Sequence, residues 1–138
     1  MENLDIYWLP DGAEEGDILI TRSGTIGKVT YATKDLATNY LISDDLVRIR
    51  VKDKNLRAYL LAYFTSKTAL SLMLLDEYGS VQQHLQPRHI QEMLIPVPDD
   101  WDSAKDMILA GEKFMKAMED MSIADREIRT NGFDSLII

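Results

Sequence analysis

The sequence has no cysteine, which excludes disulfide bonds and thiolate metal sites. It has only two histidines, His84 and His89, whose spacing of five residues would not place them on one face of a helix. No apolar run approaches the ~20 residues that a membrane-spanning helix needs, and the first five residues are acidic where a signal peptide is basic. These absences predict a cytoplasmic protein without metal, cofactor or membrane partner.

Motifs of catalysis are also missing. Gly24 and Gly27 are not followed by the Gly-Lys-Ser/Thr of a phosphate-binding loop. Ser23 lacks the strand-to-helix context of a nucleophile elbow, because the residues after it have the alternation of a strand. The sequence therefore predicts a non-catalytic protein. A small enzyme that uses His84 or His89 is the weaker alternative.

Charge is distributed unevenly along the chain, whose net charge is −8. Residues 1–16 carry −5, residues 17–98 carry +2 from ten bases and eight acids, and residues 99–138 carry −5. A basic middle can approach phosphate despite the acidic total, although such a cluster is also typical of a solvated surface. The bases that crowd this stretch are Arg22, Lys28, Lys34, Arg48, Arg50, Lys52, Lys54 and Arg57.

Alternating apolar and polar residues predict strands in the first half of the chain. Residues 17–22 and 28–33 are separated by a glycine-containing connection, which is the pattern of a β-hairpin. In residues 46–51 the apolar side chains alternate with Arg48 and Arg50, which predicts a half-buried strand with a basic outer face. We expect residues 1–16 to be an irregular lead-in and residues 34–44 to be a polar loop.

Helical spacing dominates the second half. Asn55 is a candidate N-cap for a helix over 56–66, and a further helix is expected over 68–77, ended by Gly79. A polar link over 78–89 follows, then a short helical turn over 90–93, an edge strand over 94–98 and a final helix over about 104–130. The chain is thus expected to be α+β: a small, bent, mostly antiparallel sheet packed with helices and followed by a C-terminal helix.

Two polar segments carry the candidate binding residues. Short hydroxyls, backbone N–H groups and cations at the hairpin connection suit phosphate oxygens. The polar link is rich in amide, imidazole and guanidinium groups, which can read base edges. The alternative for its glutamines is that they solvate the link or tie it to the fold. The candidate DNA-binding residues are Arg22, Ser23, Thr25 and Lys28 for phosphates, and Gln82, Gln83, His84 and Arg88 for bases or their support.

The order of these segments resembles the type I restriction-modification specificity subunits. Residues 16–28 are similar to that family's Gly-Asp-Ile-Leu … Gly-Thr-Ile-Gly signature, and residues 42–50 resemble its middle strand. The helices over 58–75 and the Gly79-to-Leu85 and Ile95-to-Pro98 segments follow in the same order. The resemblance covers roughly residues 16–98 and implies a target recognition domain over 1–98, with a spacer-like helix and apolar tail over 99–138.

This resemblance implies a function and partners. The domain would recognise one half of a split target in double-stranded DNA, without catalytic residues. It would direct a methyltransferase subunit, which modifies adenine, and a restriction subunit. The C-terminal helix could also mediate a homo-oligomer. The lead-in is shorter than in complete domains of the family, which leaves three alternatives: a fragment, a truncated relative, or the closing half of a recognition domain. The alternative is a protein-interaction or regulatory module derived from such a subunit, without useful DNA affinity.

Overall fold

The computed structural model describes residues 4–8, 12–39, 45–75 and 78–131, which form an α+β fold. The strands are β1 (Leu4–Trp8), β2 (Ile18–Thr21), β3 (Val29–Tyr31) and β4 (Leu46–Val51). The helices are α1 (Lys34–Asn39), α2 (Lys54–Thr65), α3 (Lys67–Leu74), α4 (Pro87–Gln91) and α5 (Lys105–Asn131), with a 3-10 turn (Asp102–Ala104) before α5. Among these described residues, no helix is both long and apolar enough to cross a membrane.

The sheet has the order β1-β4-β2-β3, and every neighbouring pair is antiparallel. The predicted fold class, the β2–β3 hairpin and the middle strand are confirmed. The prediction that residues 1–16 are wholly irregular is wrong, because β1 pairs along β4 from Leu4↔Val51 to Trp8↔Val47. This pairing joins residues more than 35 positions apart, and no local turn signals it.

The main core lies between one face of the sheet and helix α2. Alternation along the strands sends Ile18, Ile20, Val47 and Ile49 to this face, and all four are fully buried. Leu60 is among the α2 residues that complete the cluster. Helix α5 then packs along α2 and contributes Ile108 to the core, and the 3-10 turn before it contributes Ala104.

The opposite face of the sheet is also covered, so the predicted basic outer face of β4 is wrong. Leu19 is buried there with Ala32, and Leu36 of α1 packs against them. Arg48, which pairs with Leu19 across the strands, is only 1% exposed. Its guanidinium donates to the carbonyl of Gly12. A covering layer made by the lead-in and α1 therefore buries a base that alternation alone places outside.

Helix α1 occupies part of the segment that was expected to be a polar loop, and that prediction is wrong for residues 34–39. The hydroxyl of Thr33 accepts a hydrogen bond from the backbone N–H of Leu36 at 3.2 Å, which caps the helix. Leu36 then gives the helix an apolar side chain to bury. The remainder of the predicted loop, residues 40–44, lies outside the described residues.

Three predicted boundaries need correction. Asp53, not Asn55, caps α2, because its carboxylate accepts from the N–H of Leu56 at 2.9 Å. Helix α3 ends at Leu74, ahead of the predicted end, and residues 76–77 are outside the described set. Residues 94–98 form no strand, since their prolines remove backbone donors. The final helix is confirmed by α5; the apolar tail after it, residues 133–138, lies outside the described residues.

Candidate nucleic-acid interface

The connection between β2 and β3 is a tightly bonded loop. The N–H of Gly27 donates to the carbonyl of Thr21 at 3.1 Å, and the N–H of Lys28 donates to the Thr21 hydroxyl at 2.9 Å. Gly24 and Gly27 have φ angles of 66° and 85°, which side-chain-bearing residues rarely adopt. Ile26 is buried, so it anchors the loop on the core. The loop thus has a defined shape, and its tip faces solvent.

The polar link is held at two points within it. At the first point, the side-chain amide of Gln82 donates to the carbonyl of Met73 at 2.6 Å, and its backbone N–H donates to the carbonyl of Leu74 at 2.7 Å. At the second point, Leu85 is fully buried in the core. Gln86 then donates its N–H to Nδ1 of His89 at 2.9 Å, at the start of α4. The link is therefore an ordered segment in spite of its polarity.

Arg22 joins the hairpin loop to the polar link. Its carbonyl accepts from the N–H of Leu85 at 2.8 Å, and its Nε donates to the carbonyl of Leu85 at 3.1 Å. Its Nη2 also donates to Oε1 of Gln86 at 3.4 Å. Two segments that are more than 60 residues apart in sequence consequently meet at one place. We call the predicted site residues that are exposed on these segments the junction surface: Thr25, Lys28, Gln83, His84 and Arg88.

The other three predicted site residues are engaged within the fold. Gln82 is buried, so for this glutamine the structure favours the alternative of a tie to the fold. Ser23 is half-buried and donates its hydroxyl to the carboxylate of Asp45. Arg22 is half-buried at the junction. Sequence reasoning missed Asp45 as a partner, because it belongs to the chain before β4 and no local motif links it to Ser23.

Three arginines of the basic cluster are engaged in contacts within the fold. The buried carboxylate of Asp17 accepts from Nε and Nη2 of Arg50 at 2.9 and 2.8 Å, and lies 3.8 Å from Nε of Arg48. Arg57 donates from Nε and Nη2 to the carbonyl of Val51 at 3.2 and 2.8 Å. Lys28 and Arg88 remain exposed beside the junction, so they supply its accessible positive charge.

The described residues contain no group of three or more His, Asp or Glu side chains placed to hold a metal ion. Cavities of about 250 Å³ lie beside the contact of α5 with α1, and none of the eight predicted site residues lines them. The junction surface combines hydroxyl, amide, imidazole and cationic groups that are exposed to solvent. Such groups can bond to phosphate oxygens and base edges along an extended ligand.

The hairpin loop and the polar link thus present exposed polar side chains next to each other on one α+β fold. A family model described as the type I restriction modification DNA specificity domain matches residues 13–110, and the chain belongs to this family. The match includes both the hairpin loop and the polar link, and it confirms the resemblance. The chain thus has a DNA-recognition role in type I restriction-modification. No curated protein and no solved structure matched the chain.

Proposed function

We propose that this chain recognises a specific DNA sequence through the junction surface and directs an adenine methyltransferase subunit, with its restriction partner, to that site. The observation that carries the proposal is the junction itself. Arg22 bonds the hairpin loop to the polar link, so cations and base-reading side chains are presented together. The family match over residues 13–110 supports DNA as the ligand.

We assign different roles to the two halves of the surface. Lys28 and Thr25, at the hairpin loop, are proposed to contact phosphates. An ammonium or a hydroxyl group can bond to a phosphate oxygen whatever the base sequence. Gln83, His84 and Arg88, on the link and α4, are proposed to contact base edges, since an amide can pair with adenine and a guanidinium with guanine. Gln82 is proposed as a support, because its amide is already bonded inside the fold.

The first experiment is binding of the full chain to random-sequence duplex DNA over a salt series, with and without its methyltransferase subunit. Each phosphate contact contributes about 0.9 to the slope of log affinity against log salt. We expect Lys28→Ala to reduce that slope by about 0.9 and to weaken binding to all sequences alike. Sequence preference is then sought by selecting bound duplexes from the random pool.

Lys52→Ala is the matched control. Lys52 is an exposed lysine that follows the last residue of β4. Thr21 pairs with Leu46 at the other end of that strand, so Lys52 and the hairpin loop lie at opposite ends of the sheet. The control removes the same charge, and we expect it to leave the slope unchanged. Equal slopes for wild type and both variants would remove Lys28 from the interface.

A second candidate function is that of an interaction module that binds the methyltransferase subunit without touching DNA. The net charge of −8 favours it, because a polyanion is repelled by an acidic protein. This function predicts tight association with the methyltransferase subunit and no DNA binding by either the free chain or the complex. Salt-sensitive binding of the complex that Lys28→Ala weakens would decide against it.

A further inference from the structure

The polar link has exposed residues between two fixed points. Gln82 is held by its bonds to Met73 and Leu74, and Leu85 is buried and bonded to Arg22 through both its N–H and its carbonyl. Between them only Gln83 and His84 are left, and both are exposed. The backbone therefore presents two neighbouring side chains to solvent from a short segment that is bonded to the fold on both sides.

One side chain from another segment, that of Arg22, also holds the link. Its Nε and Nη2 donate to two successive residues, Leu85 at 3.1 Å and Gln86 at 3.4 Å. A guanidinium presents these donors in a planar fork, which fixes the direction of both bonds at once. A lysine in the same place keeps the charge, but its single ammonium group cannot reproduce that fork.

We propose that Arg22 is a positioning residue for sequence readout: it holds the link so that Gln83 and His84 meet the base edges in a fixed geometry. The inference rests on the proposed function and deepens it by separating readout from phosphate attraction. Bidentate base contacts depend on direction, and they lose their discrimination when the groups that carry them are loosely held. Attraction to phosphate depends mainly on charge and tolerates such movement.

A phosphate-contacting role and a positioning role for Arg22 predict different results for the Arg22→Lys variant. A phosphate contact would survive, because lysine also binds phosphate, so both the salt slope and the preference for the selected sequence would stay as in wild type. A positioning role predicts an unchanged salt slope with a lower preference. We expect the ratio of affinities for the selected duplex and a random duplex to fall about tenfold, the size of one base contact.

The test uses the full chain, the duplex most enriched from a random pool by the wild type, and a random-sequence duplex of the same length. Both affinities are measured over a salt series for wild type, Arg22→Lys, Gln86→Met and Lys28→Ala. Gln86→Met keeps Arg22 but removes Oε1, the acceptor of the second hydrogen bond of its guanidinium. This variant should also lower the preference for the selected duplex, by less than Arg22→Lys does. Lys28→Ala should do the opposite, lowering the slope and keeping the preference.

The affinity ratio also separates positioning from loss of folding. A partly unfolded variant binds both duplexes less well in the same proportion, which leaves the ratio unchanged. A wild-type preference that persists in both Arg22→Lys and Gln86→Met would overturn the inference and leave the proposed function standing. If the wild type prefers no sequence, with or without its methyltransferase subunit, the proposed function fails and the inference fails with it.

Discussion

Gly111 of α5 lies directly against the backbone of Ala58 in α2. A Cβ atom added to Gly111 would be 1.8 Å from the carbonyl oxygen of Ala58, which is far inside van der Waals contact. The two helix backbones can approach this closely only because position 111 carries no side chain. This contact sets where α5 lies on the domain.

We expect Gly111→Ala to destabilise the protein by about 3 kcal/mol or more, because the clash is with backbone that cannot rotate away. In an exposed helix the same change would instead stabilise by ~1 kcal/mol through helix propensity. Chemical denaturation of the purified variant measures the difference. Ala110→Ser, which enlarges the neighbouring exposed residue of α5, is the control and should change stability little. A Gly111→Ala variant as stable as wild type would show that α5 is not seated on α2 in this way.

The two glycines of the hairpin loop should respond differently to alanine. At Gly24, with φ of 66° and nothing within 4 Å, only the left-handed backbone is penalised, at about 1–2 kcal/mol. At Gly27, with φ of 85°, the new Cβ would also lie 2.8 Å from Cδ1 of Leu70. We therefore expect Gly27→Ala to cost about 1 kcal/mol more than Gly24→Ala in equilibrium unfolding.

Leu70→Ala identifies the steric part of the Gly27 effect. Because it removes the Cδ1 atom in question, the double variant Gly27→Ala with Leu70→Ala should be less destabilised than the sum of the two single variants. Gly24→Ala combined with Leu70→Ala should be additive. Additivity in both pairs would show that α3 does not press on this loop.

The carboxylate of Asp17 neutralises a buried arginine. Asp17 and Arg48 are each 1% exposed, with Nε of Arg48 3.8 Å from the carboxylate. We expect Asp17→Asn to destabilise the protein by about 3–5 kcal/mol, because it removes a buried negative charge that faces the guanidinium of Arg48 and accepts two hydrogen bonds from Arg50. Glu14→Gln is the control, since Glu14 pairs with Arg50 at 3.3 Å from an exposed position and should contribute less than about 1 kcal/mol. Similar losses in the two variants would contradict a special role for Asp17.

Alkaline pH should weaken the fold through buried tyrosines. Burial raises the pKa of Tyr31 above its usual 10.0, Glu119 raises it further, Arg57 opposes this, and Glu15 adds to it. Burial also raises the pKa of Tyr63. A raised pKa in the folded state means that stability is full below pH ~10 and falls as the pH rises through the folded pKa.

Denaturant unfolding at pH 8 to 11 tests this dependence. Tyr31→Phe removes one of the ionising groups, so its stability should fall less steeply above pH ~10 than that of the wild type. Tyr78→Phe, which removes a phenol that is 86% exposed, is the matched control. Parallel curves for wild type and Tyr31→Phe would show that Tyr31 does not contribute to the alkaline loss.

Features carried by neighbouring residues could be predicted from the sequence. The hairpin depends on a glycine-containing turn between two alternating segments, and both glycines have the positive φ that such a turn needs. The strand at 46–51 and the long final helix also follow from local periodicity of apolar residues. For the same reason the family signature could be read along the chain, since its segments keep their order.

What the tertiary structure decided are the contacts between distant segments. Strand β1 forms by pairing with the edge of β4. Arg48 is buried because α1 and the lead-in cover a face of the sheet that alternation predicts to be exposed to solvent. The junction at Arg22 depends on Leu85 and Gln86, more than 60 residues away. Periodicity specifies which face a side chain takes but not what later covers that face. Which polar residues are exposed and which are bonded within the fold is therefore a property of packing.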